Sequence, residues 1–209
     1  LGMAGNTYNN MRAFYSDVDF VSNNPKEITK TRYVDKKTNQ LLLRVDREQK
    51  CDRISMGTID DIIMEKYDLV VVSDYCKGFL SDKDLTEIGA RSQLSIIDTK
   101  RKLTPDIIDS YDFIKLNKQE YQNNIDVVDK SKTIITMGSQ GAKFMDMTFK
   151  APKVLETFDV SGAGDVFTAS FAHMILEGAS VESSIEFAQD CCCQVIQKRG
   201  TCVYENNMD

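Results

Sequence analysis

Between Phe158 and Ala172 the chain reads FDVSGAGDVFTASFA, and a carboxylate follows directly on two closely spaced glycines. Gly162 and Gly164 let the backbone turn sharply and pass close to a ligand. Phe158 and Val160 before the turn and Val166, Phe167 and Phe171 after it are apolar, which reads as a strand end leading at once into a helix. A helix start leaves several N–H groups without intrahelical partners and sets the positive end of the dipole behind them. That arrangement suits a phosphate, or the oxyanion that develops during phosphoryl transfer. Asp165 lies in the same mouth. A carboxylate there repels an anion unless it has a task, and taking the proton from an attacking hydroxyl is such a task. The same residues also fit a plain helix N-terminus in which Asp165 favours the dipole and the glycines serve only the turn. The G-A-G-D order matches neither the P-loop nor the dinucleotide spacing.

Other groups able to do chemistry fall at the ends of expected strands. From Asp60 onward strands are expected over 68–75, 94–100, 111–117 and 133–138, each preceded by a helix or crossover. Such alternation predicts a parallel sheet covered on both faces, with ligands at the carboxyl ends of its strands. Asp74 and Lys77, Asp98 and Lys100, Asn117 and Glu120, and Gly138 stand at those ends. Residues 135–145, ITMGSQGAKFM, form either a glycine-rich strand-loop or a simple hairpin turn. Upstream, residues 28–48 alternate as two strands joined by a polar turn at Lys36–Gln40. Lys30, Arg32, Arg44 and Arg47 are interleaved there with Asp46, as on a solvated strand pair or at a site for a phosphorylated sugar. At the start, Gly2 and Gly5 are expected to flank a loop, followed by a helix carrying Tyr8, Met11 and Phe14. The helix from Asp165 should stop at Gly178, and Ser180 should cap a second one running to about Lys198, with Gly200 ending it.

The 209 residues suffice for one α/β domain, with 42% hydrophobic and 28% charged side chains. A net charge of −6 argues against broad binding to nucleic acid or anionic membranes, while leaving room for a local basic pocket. No apolar run approaches the roughly 20 residues of a membrane span. Cys191, Cys192 and Cys193 are consecutive within a helical pattern and so point in different directions, while Cys51, Cys76 and Cys202 are scattered. They read as small residues in a reducing cytosol, so a cytoplasmic protein without a cysteine-bound metal is expected, with His173 structural. The first residue is Leu, which leaves open a fragment, a processed product or a fold shortened at its start.

DVSGAGDVFTASF resembles the C-terminal signature of the ribokinase-like (PfkB) family of carbohydrate kinases. The resemblance implies a three-layer α/β/α fold with a mainly parallel sheet and a partial β lid over about 28–48. It makes Asp165 the catalytic base and Gly162, Ala163 and Gly164 the anion hole. NKQE is similar to the family's N-x-x-E, implying that Asn117 and Glu120 order Mg²⁺ through water and so hold ATP. T-x-G-x-x-G brings Thr136, Gly138 and Gly141 to the nucleotide, and QKRGT, with Lys198 and Gly200, resembles the segment that closes over adenine. LGMAGN is similar to the glycine-rich segment lining the sugar pocket, which assigns Gly2, Gly5, Asn6 and Asn10 to the substrate. TKTR, LLRVDRE, SDYCKG and DTK resemble the heptose 7-phosphate kinase branch, the kinase half of the bifunctional enzyme that makes ADP-heptose precursors of lipopolysaccharide. By that likeness Lys30, Arg32, Arg44, Asp74 and Lys77 face a sugar phosphate, and Lys100 faces phosphate.

The family's first strand, with its substrate-binding Asp, has no counterpart before LGMAGN. The expectation is therefore a single N-terminally truncated kinase domain over 1–209, with no nucleotidyltransferase domain after it. A homodimer through the lid is also expected. Two other readings stay open: a non-catalytic nucleotide- or sugar-binding relic or partner subunit, and a ribokinase- or fructokinase-type enzyme for a neutral sugar.

Overall fold

The computed structural model describes residues 3–22, 29–38, 40–47, 51–64, 67–154, 157, 160–198 and 203–204. Its centre is a six-stranded sheet made by β3 (Val70–Asp74), β4 (Ser95–Thr99), β5 (Phe113–Asn117), β6 (Thr133–Thr136), β7 (Ala142–Phe144) and β8 (Met147–Phe149), lying side by side in chain order. The first four strands are parallel and the last two antiparallel, so the expected mainly parallel sheet is present. A two-stranded ribbon, β1 (Thr29–Val34) with β2 (Leu41–Arg47), forms its own antiparallel sheet. Each expected strand is found, shortened by one or two residues at one or both ends.

Alternation of side chains across the strands builds two cores. On one face Ile97, Ile114 and Leu116 pack with Ile59 of α2 (Met56–Met64), Leu85 and Ile88 of α3 (Asp82–Arg91), and Ile107 and Ile108 of α4 (Pro105–Ser110). On the other, Ile96, Ile134 and Phe144 pack with Met11 of α1 (Met3–Met11), Phe167 and Phe171 of α6 (Ala163–Leu176), and Ile185 and Ala188 of α7 (Val181–Ile196). The short α5 (Lys118–Asn123) follows β5 directly. The result is a mostly parallel sheet between two helical layers.

Local chemistry explains the helix limits. Ser81 and Asp84 form a capping box on α3, and Asn117 and Glu120 form another on α5. Thr104 caps α4 ahead of Pro105 at a first-turn position, where a missing N–H costs nothing. Gly178, at φ 79°, lies just beyond α6, and Ser180 caps α7 as expected. One local expectation is corrected: Gly5 lies inside α1, not beside a loop, because the helix already begins at Met3. Gly2 and Gly200 lie outside the described residues.

Candidate active site

The glycine turn delivers Asp165 to a closed corner between α1, α6 and the loop after β3. Gly162 is left-handed, with φ 87°, and its carbonyl accepts the N–H groups of both Asp165 and Val166 at 3.0 Å. This tightens the first turn and fixes the aim of the Asp165 side chain, which is only 2% exposed. Both carboxylate oxygens have donors: the Tyr75 hydroxyl meets Oδ1 at 2.8 Å and Asn6 Nδ2 meets Oδ2 at 3.0 Å. Burial pushes the Asp165 carboxyl above the usual range, while the bonds from Asn6 and Tyr75 hold it back. Asn6 is steadied by Asn10, one turn on, whose Nδ2 donates to the Asn6 carbonyl at 2.8 Å. Asn10 in turn accepts the Tyr204 N–H at 2.8 Å, which ties the C-terminal segment to α1.

The loop of residues 162–164 is less open than three free amides. The Ala163 N–H points to the Val160 carbonyl at 3.3 Å, and the Ala163 carbonyl accepts the Cys192 thiol at 3.1 Å. Behind Gly164 lies the Lys115 ammonium, 3.1 Å from where a Cβ on that glycine would stand. Lys115 pairs with Asp98 at 2.8 Å, both side chains being 8% exposed. Burial works against the Lys115 charge, but the carboxylates of Asp98, Glu120 and Asp165 outweigh it and keep the ammonium above the usual lysine range.

The nucleotide-side candidates gather at the ends of β5 and β6. Asn117 and Thr136 are register partners across the ladder. Asn117 Oδ1 accepts the N–H groups of Gln119 and Glu120, and Glu120 Oε2 accepts the Asn117 N–H at 2.7 Å. The N-x-x-E spacing is thus a helix cap in its own right. Burial raises the Glu120 carboxyl. Among the described residues no group of three acidic, histidine or cysteine side chains is placed to hold a metal directly. One buried carboxylate beside an exposed amide fits a magnesium ion that keeps its waters. The 136–141 segment is both things the sequence allowed, a glycine loop and a hairpin between β6 and β7. Gly138, with φ 58°, has open space on its Cβ side, whereas a Cβ on Gly141 would run into the Phe149 carbonyl. The Lys198 N–H closes the last turn after α7 onto Val195.

The remaining substrate candidates divide into two groups. Asp74 is buried and committed inward: it accepts Thr99 Oγ1 at 3.0 Å, Arg101 Nε at 2.9 Å and the Cys76 N–H at 3.0 Å. The Lys77 carbonyl accepts the Cys51 N–H, and Lys100 sits over the Tyr75 ring, 4.7 Å from its centre. Lys30, Arg32 and Arg44 belong to the ribbon, where Arg32 faces Arg44 directly and Arg44 forks onto Asp46 with two bonds of 2.8 Å. Sequence reasoning missed Tyr75, Lys115 and Thr168 as members of the Asp165 neighbourhood. A lysine within the otherwise apolar FIKLN strand was the one visible signal.

Residues 98–207, just over half of the chain, match the model of the pfkB family carbohydrate kinases. The bifunctional protein HldE of a Nitratiruptor species is 27% identical, over 96% of this chain and 54% of its own length. That of Sulfurimonas denitrificans is 32% identical, over 78% of this chain and 40% of its own. The chain therefore spans about half the length of the curated relatives it matches. Among solved structures, Arabidopsis thaliana ribokinase complexed with ribose and ATP superposes with a TM-score of 0.60 at 18% identity, over 78% of this chain and 61% of the other. The mostly parallel sheet between helical layers agrees with these matches, and the chain belongs to the pfkB family of carbohydrate kinases.

Proposed function

We propose that the chain transfers the γ-phosphoryl group of ATP to a hydroxyl of a phosphorylated sugar, heptose 7-phosphate by preference. The observation that carries this reading is the Asp165 carboxylate, buried at the head of α6 and held by Tyr75 and Asn6. Its raised affinity for a proton suits a general base. The acceptor hydroxyl gives its proton to Asp165 while its oxygen bonds to the γ-phosphorus. The bond from that phosphorus to the bridging oxygen breaks, and ADP leaves. The turn at residues 162–164 and the positive end of α6 favour the charge on the group in transfer. Asn117 and Glu120 would hold a hydrated magnesium ion, which would neutralise phosphate charge. Asn6 orients the base, and burial of Asp165 keeps water from competing for the proton.

The phosphorylated substrate is supported by the ribbon. Arg32 and Arg44 stand directly opposite, a like-charge pair that Asp46 offsets in part and that a further anion suits. The segments resembling the heptose-kinase branch point to the same sugar. One observation favours a neutral sugar instead: the Arg44 fork is already filled by Asp46. The ribbon also exposes Tyr33, Val34, Leu41, Leu42 and Leu43, which supports pairing of two copies through it.

The test is ADP release from Mg-ATP across a panel of sugars that includes heptose 7-phosphate, with Asp165→Asn alongside. Turnover on one phosphorylated sugar that falls about 10²-fold or more in the variant supports the reading. Binding of ATP with no sugar-dependent turnover would make the chain a nucleotide-binding relic. Alanine at Lys30, Arg32 and Arg44 with unchanged affinity for the sugar phosphate would move the substrate to a neutral sugar.

A further inference from the structure

We propose that Asp98 and Lys115 form a buried positioning pair that seats the glycine turn of α6 and holds a positive charge behind it, an inference that rests on the phosphoryl-transfer reading. The two residues are register partners on adjacent parallel strands. They project to the α6 side of the sheet, opposite to the face that Ile114 and Leu116 fill. Lys115 Nζ meets Asp98 Oδ2 at 2.8 Å, and the same carboxylate oxygen lies 3.1 Å from Thr168 Oγ1. The Thr168 hydroxyl is also within 2.9 Å of the Gly164 carbonyl, and its one hydrogen is shared between these two acceptors. Lys115 closes the circuit from the other side, its ammonium filling the space where Gly164 lacks a Cβ. Two routes therefore run from the ion pair to one glycine of the turn.

The chemistry of the position explains why charge is kept there. A buried ion pair loses two hydration shells, and apolar residues of similar volume often serve a fold as well or better. Ile96 and Phe113 show that this face of the sheet accepts such residues. Behind a turn that faces a transferred phosphoryl group, a fixed ammonium counts toward the transition state without moving during the reaction. Asp98 anchors that ammonium and keeps it under Gly164, so that Lys115 does not swing onto the base Asp165. Thr168 transmits the same anchor to the first turn of the helix.

The experiment compares the whole chain with Lys115→Met, Asp98→Asn and the double variant, reading kcat, KM for Mg-ATP and urea unfolding on each. Lys115→Met is expected to lower kcat by about 10²-fold, with a much smaller change in KM. The double variant leaves neither charge alone, so it should regain the stability that the single variants lose while kcat stays low. Recovery of wild-type kcat together with stability in the double variant would reduce the pair to a brace and overturn the proposal. Wild-type kcat in Lys115→Met would do the same. If Lys115→Met does not fold, the double variant carries the test by itself. A wild type without sugar-dependent ADP release overturns the kinase reading and this inference with it, whereas an active wild type with indifferent variants overturns the inference alone.

Discussion

Tyr75 and Asp165 stand ninety residues apart and are joined by a 2.8 Å hydrogen bond in which the phenol donates to Oδ1. The phenol holds its proton firmly, since burial and then the charges of Asp98 and Asp165 push it far above its ordinary range. It is therefore a constant donor over any working pH. Its bond favours the ionised carboxylate, against the burial that raises Asp165. Tyr75→Phe removes that donor, so the carboxyl should rise further. A base works only when ionised, and the acid limb of kcat/KM should move to higher pH by about one unit, the worth of one charge-assisted bond. A pH–rate profile of the two proteins checks this, and a limb that stays put or moves down would remove Tyr75 from the base's setting.

Asn117 and Glu120 carry two separable tasks. As a capping box they hold the start of α5, so Asn117→Ala should lower stability by about 1 kcal/mol. Glu120→Gln keeps an oxygen for the Asn117 N–H but drops a charge that burial disfavours. Its stability should be unchanged or slightly higher. If Glu120 orders hydrated magnesium, the same variant needs more Mg²⁺ for half-maximal turnover. Thermal unfolding and a magnesium titration together separate the cap from the metal.

The strands were legible because their residues alternate or run apolar between turn signals, and Ser180 announced the start of α7. The glycine turn and its aspartate were legible as local chemistry. Asn6 and Asp98 stood among the candidates, but the closing of Tyr75 and Lys115 around them was not legible, because those two come from separate elements that only the fold brings together. Gly5 was misplaced for a different reason: a glycine near a chain start reads as loop, yet Asn6 and Asn10 need one helical face to meet Asp165 and Tyr204. Asp74 carries more than its strand-end position suggested: Arg101, Thr99 and the Cys76 N–H all donate to it.

Arg53 and Asp84 make a fork of 2.8 and 2.6 Å at the head of α3, and Asp84 also accepts the N–H and hydroxyl of Ser81. The bond from Arg53 is the main cause that pulls the carboxyl down to about 2. Its folded pKa lies below the unfolded value, so the stabilisation is present above about pH 4 and is lost as pH falls through about 2. Arg53 is half exposed, and solvent screening keeps the gain small. Asp84→Asn should therefore unfold earlier in urea at pH 7, and the gap from the wild type should close toward pH 2. A gap that is constant with pH would trace the loss to the cap alone.

Gly138 and Gly141 bracket the β6–β7 turn, but the structure asks different things of them. A Cβ on Gly138 meets nothing within 4 Å, so only its left-handed φ of 58° resists substitution. Alanine there should cost about 1 kcal/mol and leave the sheet intact. Gly141 combines φ 91° with ψ −137°, a region nearly reserved for glycine. A Cβ at that position would also press on the Phe149 carbonyl and lie 2.6 Å from the Ala151 nitrogen. Backbone atoms cannot swing aside as a side chain can, so Gly141→Ala should force β8 away from β7 and lower stability by more than about 2 kcal/mol. If a nucleotide approaches on the open side of Gly138, Gly138→Ala should raise the KM for ATP in a protein of nearly normal stability. Urea unfolding and ATP kinetics on the two variants give the contrast. Equal stability losses at both positions would mean that the turn is held by its dihedral angles and not by the Phe149 contact.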